Sequence, residues 1–586
     1  MTKLRQLLVC TLLAFCVSSI ATAAFASDDY TLGPDSQIKP GVPQGEITHY
    51  RWTSKIYPGT ERDYWIYVPK QYDPKTPACV MVFQDGGGFQ SRDGGFRVPV
   101  VFDNLIAAKQ MPVTVAIMID PGVSPATLAN ALPRYNRSHE YDAVTDVYAR
   151  FLEDEILPEV GKRLNLTKDP AGRGLCGASS GGIASFTAAW ERPDLFSKVA
   201  SFVGSFTDLQ GGNTFASQIR KYEPRPIRVL LQDGSADQDI YSGVWFLGNN
   251  DVAMALRFAG YDYKFVTGDG GHNGRQGGSI LPDALRWLWR DYPASVARAA
   301  GNRQPVMEVA LAGEGWSQIN ELGDKVAGVA ADAAGAIYVS TPAGNQITKR
   351  TSTGVTMLTA ISGGATALAF GPDGKLYAAQ PSRHRVVDFD AQGRETTVAT
   401  GITASGLVVA HTGVIYATDS VAGKIWALGT NAAKGKRTLV DKDLPAASGV
   451  TLTPDQSLLH VTQSSPGKFG YSYRILKDGA VVDKQDFFDL RIHYGDSQSA
   501  AAGMVTDVQG RLYVTSNTGI QILDQAGRII GILENPDRTA TSAITFTGMN
   551  LDTLVVVAGG KVYVRKTKVK GVLPFAEAIK PPGPRL

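Results

Sequence analysis

"GRGLCGASSGGIASF", residues 172–186, sets a serine between two glycines, Gly177-Ala178-Ser179-Ser180-Gly181, directly after a short apolar run. A strand entering a tight turn and leaving as a helix would push the Ser179 side chain outward, and such a junction tolerates only small flanking residues. "RGLCG" supplies the strand, Gly177 and Gly181 the clearance, and "GIASFTAAWE" the helix. The same letters suit an ordinary glycine-rich turn, because Gly, Ala and Ser often meet by chance. A nucleophilic serine needs more: a base, an acid and an oxyanion hole, in the right order along the chain.

In a wound parallel sheet that order is serine, acid, histidine. The chain holds seven histidines, and the first after Ser179 is His272. It ends the strand-like "YKFVTGDGG" in a glycine loop ahead of a helix; the next, His384, lies in a stretch of different texture. The acid belongs on the loop after the preceding strand, where "VLLQDGSADQD" offers Asp233, Asp237 and Asp239. Asp237 lies beyond the strand end and is the better placed. Asp233 is the alternative, and could instead cap the turn. Its role would be to orient the imidazole and stabilise its cation. One oxyanion donor is the backbone N–H of Ser180, and the other belongs to "FQDGGGF" after the third strand. A dinucleotide loop is excluded there, since no G-x-G-x-x-G is completed and no helix follows directly.

The rest of residues 30–290 agrees with a wound sheet. "RDYWIYVP" (62–69), "ACVMVFQDGG" (78–87), "VTVAIMID" (113–120), "PIRVLLQDG" (226–234) and "YKFVTGDGGH" (263–272) read as strands, several of them continuous apolar runs of buried parallel type. "DAVTDVYARFLEDEILPEVGKRL" (142–164) and "NDVAMALRFAG" read as helices, and "LPDALRWLWRDYP" (281–293) as a closing helix stopped by Pro293. Alternating strands and helices predict an α/β fold with a mostly parallel sheet over 27–293. A small, polar stretch at 294–306 reads as a linker.

Beyond it helical periodicity vanishes. Short strands recur behind a G-x-apolar-Tyr signature, at Tyr338, Tyr377 and Tyr416, 39 residues apart each time. "PDQSLLHVT" at His460, "VQGRLYVTS" at Tyr513 and "NLDTLVVVAGGKVYV" continue the series. Six units over 307–575 predict a six-bladed β-propeller rather than paired sandwiches, leaving 576–586 as a tail.

At 586 residues, 44% hydrophobic and 19% charged, the chain has room for two or three ordinary globular cores. Its beginning, "MTKLRQLLVCTLLAFCVSSIATAAFAS", has two cations, a short apolar run and small residues at Ala24 and Ala26. This predicts a signal peptide over 1–26 and a secreted or periplasmic product. The run is too short for a membrane anchor. Setting Lys3 and Arg5 aside leaves 56 basic against 55 acidic residues, with no basic stripe, so nucleic acid and anionic membranes are not expected partners. Cys79 and Cys176 then remain; both sit in apolar runs, as buried thiols do, and two cysteines make no disulfide framework.

Residues 45–292 resemble the esterase family that includes esterase D, feruloyl esterases and enterochelin esterase. The likeness is carried by "TERDYWIYVP", "MVFQDGGGF", "NRSHEYD", "FLEDEILPEV", "GLCGASSGGIAS", "LLQDGSAD" and "DGGHNGRQGGSILPDALRWLWRD". It implies an α/β-hydrolase fold, Ser179, Asp237 and His272 as triad, and Gly86 with Ser180 as oxyanion donors, with no cofactor. The "NRSHEYD" stretch is most similar to the enterochelin-esterase branch, which would bring Arg137 and Glu140 near the substrate; a surface salt bridge is the other reading of that pair. Residues 320–565 resemble the gluconolactonase and senescence-marker protein family in "SGVTLTPDQSLLHVT", "AAGMVTDVQGRLYVTS" and "TSAITFTGMNLDTLVVV". That resemblance implies a divalent metal held by Glu, Asn and Asp in the central channel. At the matching positions stand Ala327, Ser448 and Ala502, which cannot hold a hard cation. Asp332, Asp373 and Asp507 remain, in positions that suit turn capping. No metal is therefore expected. The expectation is a serine ester hydrolase acting on a small-molecule or glycan ester, with a propeller that binds or shapes the substrate. An acyltransferase on the same triad, a metal-dependent lactonase in the propeller and a non-catalytic binding protein are the alternatives.

Overall fold

A computed structural model describes residues 30–429 and 436–584. The expected signal segment 1–26 lies outside them. Among the described residues no helix is long and apolar enough to cross a membrane.

The first domain is built on a ten-stranded sheet. Its strands are β1 (Glu46–Thr53), β2 (Glu61–Val68), β3 (Cys79–Gln84), β4 (Thr114–Ile119), β5 (Val123–Ser124), β6 (Arg134–Tyr135), β7 (Arg173–Ala178), β8 (Lys198–Phe202), β9 (Arg228–Gly234) and, after the separate two-strand ribbon of β10 (Asp239–Ile240) and β11 (Gly243–Val244), β12 (Asp262–Gly268). The order is β12-β9-β8-β7-β3-β4-β2-β5-β6, with β1 against the other side of β2. The run β12-β9-β8-β7-β3-β4 is parallel throughout, and β1 and β2 are antiparallel. β3 and β4 are buried along their whole length, which explains their long apolar runs, and β8 is equally buried although it carries Lys198 and Ser201. The period of two divides them between the faces. Val80 and Val82 enter one core with Phe186, Trp190 and Leu256, whereas Met81 and Phe83 enter the other with Phe102, Leu285 and Trp289.

Two helices depart from their sequence reading. The stretch 142–164 holds one helix only over 147–161, with a π-turn at Leu152–Ile156, and a separate short helix, Arg137–Tyr141, precedes it. The closing helix begins earlier than expected, at Arg275, and takes in "QGGS" and Pro282. Its glycines are spacers: a Cβ at Gly278 would lie 2.2 Å from the Gly95 carbonyl oxygen, and one at Gly277 3.0 Å from Phe202. Close packing outweighs the helix penalty of glycine here.

The second domain is six four-stranded sheets, the blades of a propeller. The sixth is closed by Ser317–Gln318, which pairs with Lys561–Lys566 from the end of the domain. Several innermost strands carry a glycine that meets the next blade: a Cβ at Gly406 would lie 2.4 Å from the Ser448 carbonyl oxygen, and one at Gly449 1.7 Å from that of Ala502. The recurring tyrosine is explained too. Tyr338, Tyr377 and Tyr513 donate their hydroxyls to Asp332, Asp373 and Asp507, whose other oxygens accept backbone N–H groups of the preceding turn. The three aspartates are turn caps.

The stretch 294–306 is not a free linker. Gln304 is buried and donates Nε2 to the carbonyls of Ile219 and Tyr222, while Val306 lies in the propeller core. The Arg565 guanidinium grips Glu223 at 2.6 and 2.7 Å, both buried, and Ile532 of the propeller packs into the core of the first domain.

Candidate active site

β7 ends at Ala178, and the helix Ser180–Glu191 starts two residues later. The single residue between them, Ser179, has φ 57° and ψ −125°. That conformation is costly for a residue with a side chain and is held only where the surroundings enforce it. They do so by closeness: a Cβ at Gly177 would lie 2.3 Å from the Gly181 carbonyl oxygen, one at Gly181 2.9 Å from Asp85 Oδ2, and one at Gly182 2.6 Å from Ser201 Oγ.

Ser179, His272 and Asp237, 93 and 35 residues apart along the chain, come together. Ser179 Oγ lies 2.8 Å from His272 Nε2, and His272 Nδ1 lies 2.6 Å from Asp237 Oδ1. A carboxylate only accepts, so Nδ1 carries the proton and Nε2 is left to accept from the serine hydroxyl. Burial pushes the Asp237 carboxyl up, but hydrogen bonds from His272, Asp233 and the Gln238 N–H outweigh it and hold the group below the usual carboxylate range. Asp233 is fully buried at the end of β9. It accepts from the Gly234 N–H and from Asn249 Nδ2, at 2.8 Å each, and caps the turn. Burial, with the Asp237 carboxylate beside it, pushes its pKa up to about 9. Asp233 is thus the neutral member of a carboxylic acid–carboxylate pair, and Asp237 is the one against His272.

The Gly86–Gly88 turn follows β3 and sits beside the elbow. Gly86 and Ser180 each begin a helical turn, so their N–H groups have no acceptor within it. Gly86 is small because its Cβ would lie 2.2 Å from the Met118 carbonyl carbon: the close approach is to β4. The Gly87 N–H is engaged by Asp120 at 2.8 Å.

Arg137 and Glu140 separate. Arg137 binds Asp85 through Nε and Nη2 at 2.8 Å each, with 39% of its side chain exposed beside the glycine turn. Glu140 is removed from solvent and held by Arg62 and the Gly122 N–H. It braces the loop after β4, and its salt bridge is a buried one with Arg62 rather than the surface pair with Arg137 that the sequence suggested. Sequence reasoning missed Ser205, whose Oγ is 3.4 Å from Ser179 Oγ, and Trp245, whose ring lies edge-on to His272 and whose Nε1 donates to Ser205. No motif marks either; only the fold brings them in. Cys79 and Cys176 are free and buried, and burial raises both thiols, Cys79 to about 11.

Residues 56–288 match the family model described as "Putative esterase". The first domain is an esterase-family domain. Such a domain is that of a carboxylic ester hydrolase. Residues 418–560 match the SMP-30/gluconolactonase/LRE-like region. An uncharacterized Bacillus subtilis protein, YbbA, is 25% identical over 180 residues, 30% of this chain and 69% of that protein. A gluconolactonase of Zymomonas mobilis is 25% identical over 232 residues, 36% of this chain and 64% of its own length. Among solved structures, the enterobactin esterase of Shigella flexneri is similar at 20% identity over 44% of this chain and 62% of its own, with a TM-score of 0.34. A Xanthomonas campestris gluconolactonase is similar at 18% identity over 45% of this chain and 93% of its own, with a TM-score of 0.40.

In the propeller, the divalent ion of the gluconolactonase family does not fit the residues present. Ala327 and Ala502 offer only methyl groups, and Ser448 Oγ is committed to the Ala501 carbonyl at 2.7 Å, tying two blades together. Among the described residues no group of three or more His, Cys, Asp or Glu side chains could hold an ion.

Proposed function

We propose that the protein is an exported serine carboxylic-ester hydrolase that works through an acyl-enzyme on Ser179. The observation that carries this reading is the unbroken hydrogen-bond chain from Asp237 through His272 to Ser179 Oγ. His272 Nε2 takes the Ser179 proton as Oγ attacks the ester carbonyl carbon, and Asp237 stabilises the imidazolium so formed. The N–H groups of Ser180 and Gly86 are the donors for the oxyanion. His272 returns the proton to the departing alkoxide, leaving an ester on Ser179. Water then attacks that ester and gives a proton to His272, which passes it to Ser179 Oγ as the acyl–oxygen bond breaks, releasing the carboxylic acid and free Ser179. Arg137, half-exposed beside the Gly86 turn, suits a substrate that brings an oxygen acceptor to the mouth, such as an acid- or phenol-bearing small molecule or a glycan ester.

Intact-mass spectrometry after a fluorophosphonate probe tests the nucleophile. One adduct on the wild-type protein, lost in Ser179→Ala and His272→Ala, is the expected result. A folded wild-type protein that takes no adduct would overturn the reading.

A further inference from the structure

A cavity of about 630 Å3 lies between the esterase domain and the propeller, with walls from both. That volume is within the roughly 300–1,000 Å3 of small-molecule sites. Glu191, on one wall, ends the helix that Ser180 begins, and at ~1.5 Å per residue this wall is roughly 16 Å from the elbow. Ser179, Asp237 and His272 are not among the residues that line the cavity.

Its polar groups are unevenly satisfied. Arg225 is only 6% exposed, its guanidinium stacked 4.2 Å over Trp190 with Glu534 at 2.9 Å from Nε, and its Nη1 is buried without a hydrogen-bond partner. From the propeller, Asn517 presents a buried Oδ1 that is likewise unpartnered. Among the described residues the Arg491 side chain and the Glu191 carboxylate form neither a hydrogen bond nor an ion pair, although both line the cavity. Native interiors rarely leave buried polar atoms such as Arg225 Nη1 and Asn517 Oδ1 unpartnered side by side.

What would satisfy them must both donate and accept. The idle donors are guanidinium N–H groups, and the idle acceptors are a carboxylate and an amide oxygen. Three arginines face four carboxylates around the lining, so the walls select neither an anion nor a cation. Hydroxyl groups meet both needs. At the rim Tyr494 is 45% exposed and lies against Gly211, offering a ring face for an apolar C–H surface. We propose that this interdomain cavity is a binding site for a neutral saccharide of one to three units.

Isothermal titration calorimetry on full-length protein carrying Ser179→Ala tests this whether or not Ser179 is a nucleophile, because binding is read without turnover. The probes are maltotriose, cellotriose and xylotriose, with trigalacturonic acid as the charged comparison. At least one neutral trisaccharide should bind with a Kd of about 1 mM or tighter. Added Glu191→Gln or Asn517→Ala should each weaken that binding at least tenfold, with folding checked by thermal denaturation. If Glu191→Gln fails to fold, Asn517→Ala on the propeller turn carries the test. The proposal is overturned if no neutral probe binds by about 10 mM, if only trigalacturonic acid binds, or if a folded variant binds as tightly as its parent.

Discussion

Asp233 and Asp237 stand four residues apart and do opposite things, because one accepts from a histidine and the other is closed in. Exchanging Asp237 for Asn should leave the fold intact and lower kcat by about 10^3–10^4, the loss an orienting carboxylate produces in serine hydrolysis. Asp233→Asn should keep most of the activity, since the amide mimics a neutral acid. The pair also sets a pH dependence. Folded Asp233 keeps its proton to about pH 9, whereas the unfolded chain releases it near its ordinary value of about 3.9. The folded state thus binds the extra proton, so this contribution is full below about pH 4 and is lost as pH rises towards 9. Urea denaturation across that window should show stability falling with pH in the wild-type protein and a flatter profile in Asp233→Asn. Equal slopes would mean that Asp233 is not the protonated partner.

At the scale of elements, the site depends on backbones brought closer than side chains allow. The turn after β3 is one such case: Gly86 abuts the Met118–Ile119 peptide, whereas a Cβ at Gly88 would meet nothing within 4 Å. Gly86→Ala should therefore displace the turn, cost about 1–3 kcal/mol and reduce turnover. Gly88→Ala should stay within about 0.5 kcal/mol of wild type. Paired thermal melts and ester assays would separate them, and equal behaviour would count against Gly86 as an oxyanion donor held by packing. The propeller blades obey the same logic with different residues. Their G-x-apolar-Tyr signature was legible in part because Tyr338, Tyr377 and Tyr513 each bind the aspartate of their own turn, a local need repeated in several blades.

For the whole molecule, the question is how two domains with separate cores become one body. Arg565 and Glu223 are 342 residues apart, nearly solvent-free and doubly hydrogen-bonded. Removing one partner strands the other charge, so Glu223→Ala should cost about 3–5 kcal/mol and split unfolding into two calorimetric transitions. Replacing both by Leu and Met should recover much of the loss. A single unchanged transition in Glu223→Ala would show that Tyr222, Ile532 and Gln304 suffice to couple the domains.

The alternation of buried strands with helices, the elbow around Ser179 and the repeat of the blades are properties of residues near one another in sequence. Local chemistry makes them readable: a continuous apolar strand must be covered on both faces, and a serine between glycines needs a crowded turn. The sequence alone could not divide the roles of Asp233 and Asp237, since they stand four residues apart and both are buried; only the partner each meets in space, Asn249 or His272, separates them. Nor could it show that Glu140 turns inward to Arg62, that Ser205 and Trp245 flank the reacting groups, or that 294–306 is anchored. Those outcomes depend on which chains pass close in space. Contacts across tens to hundreds of residues leave no periodicity in the sequence, and the cavity between the domains exists only because of them.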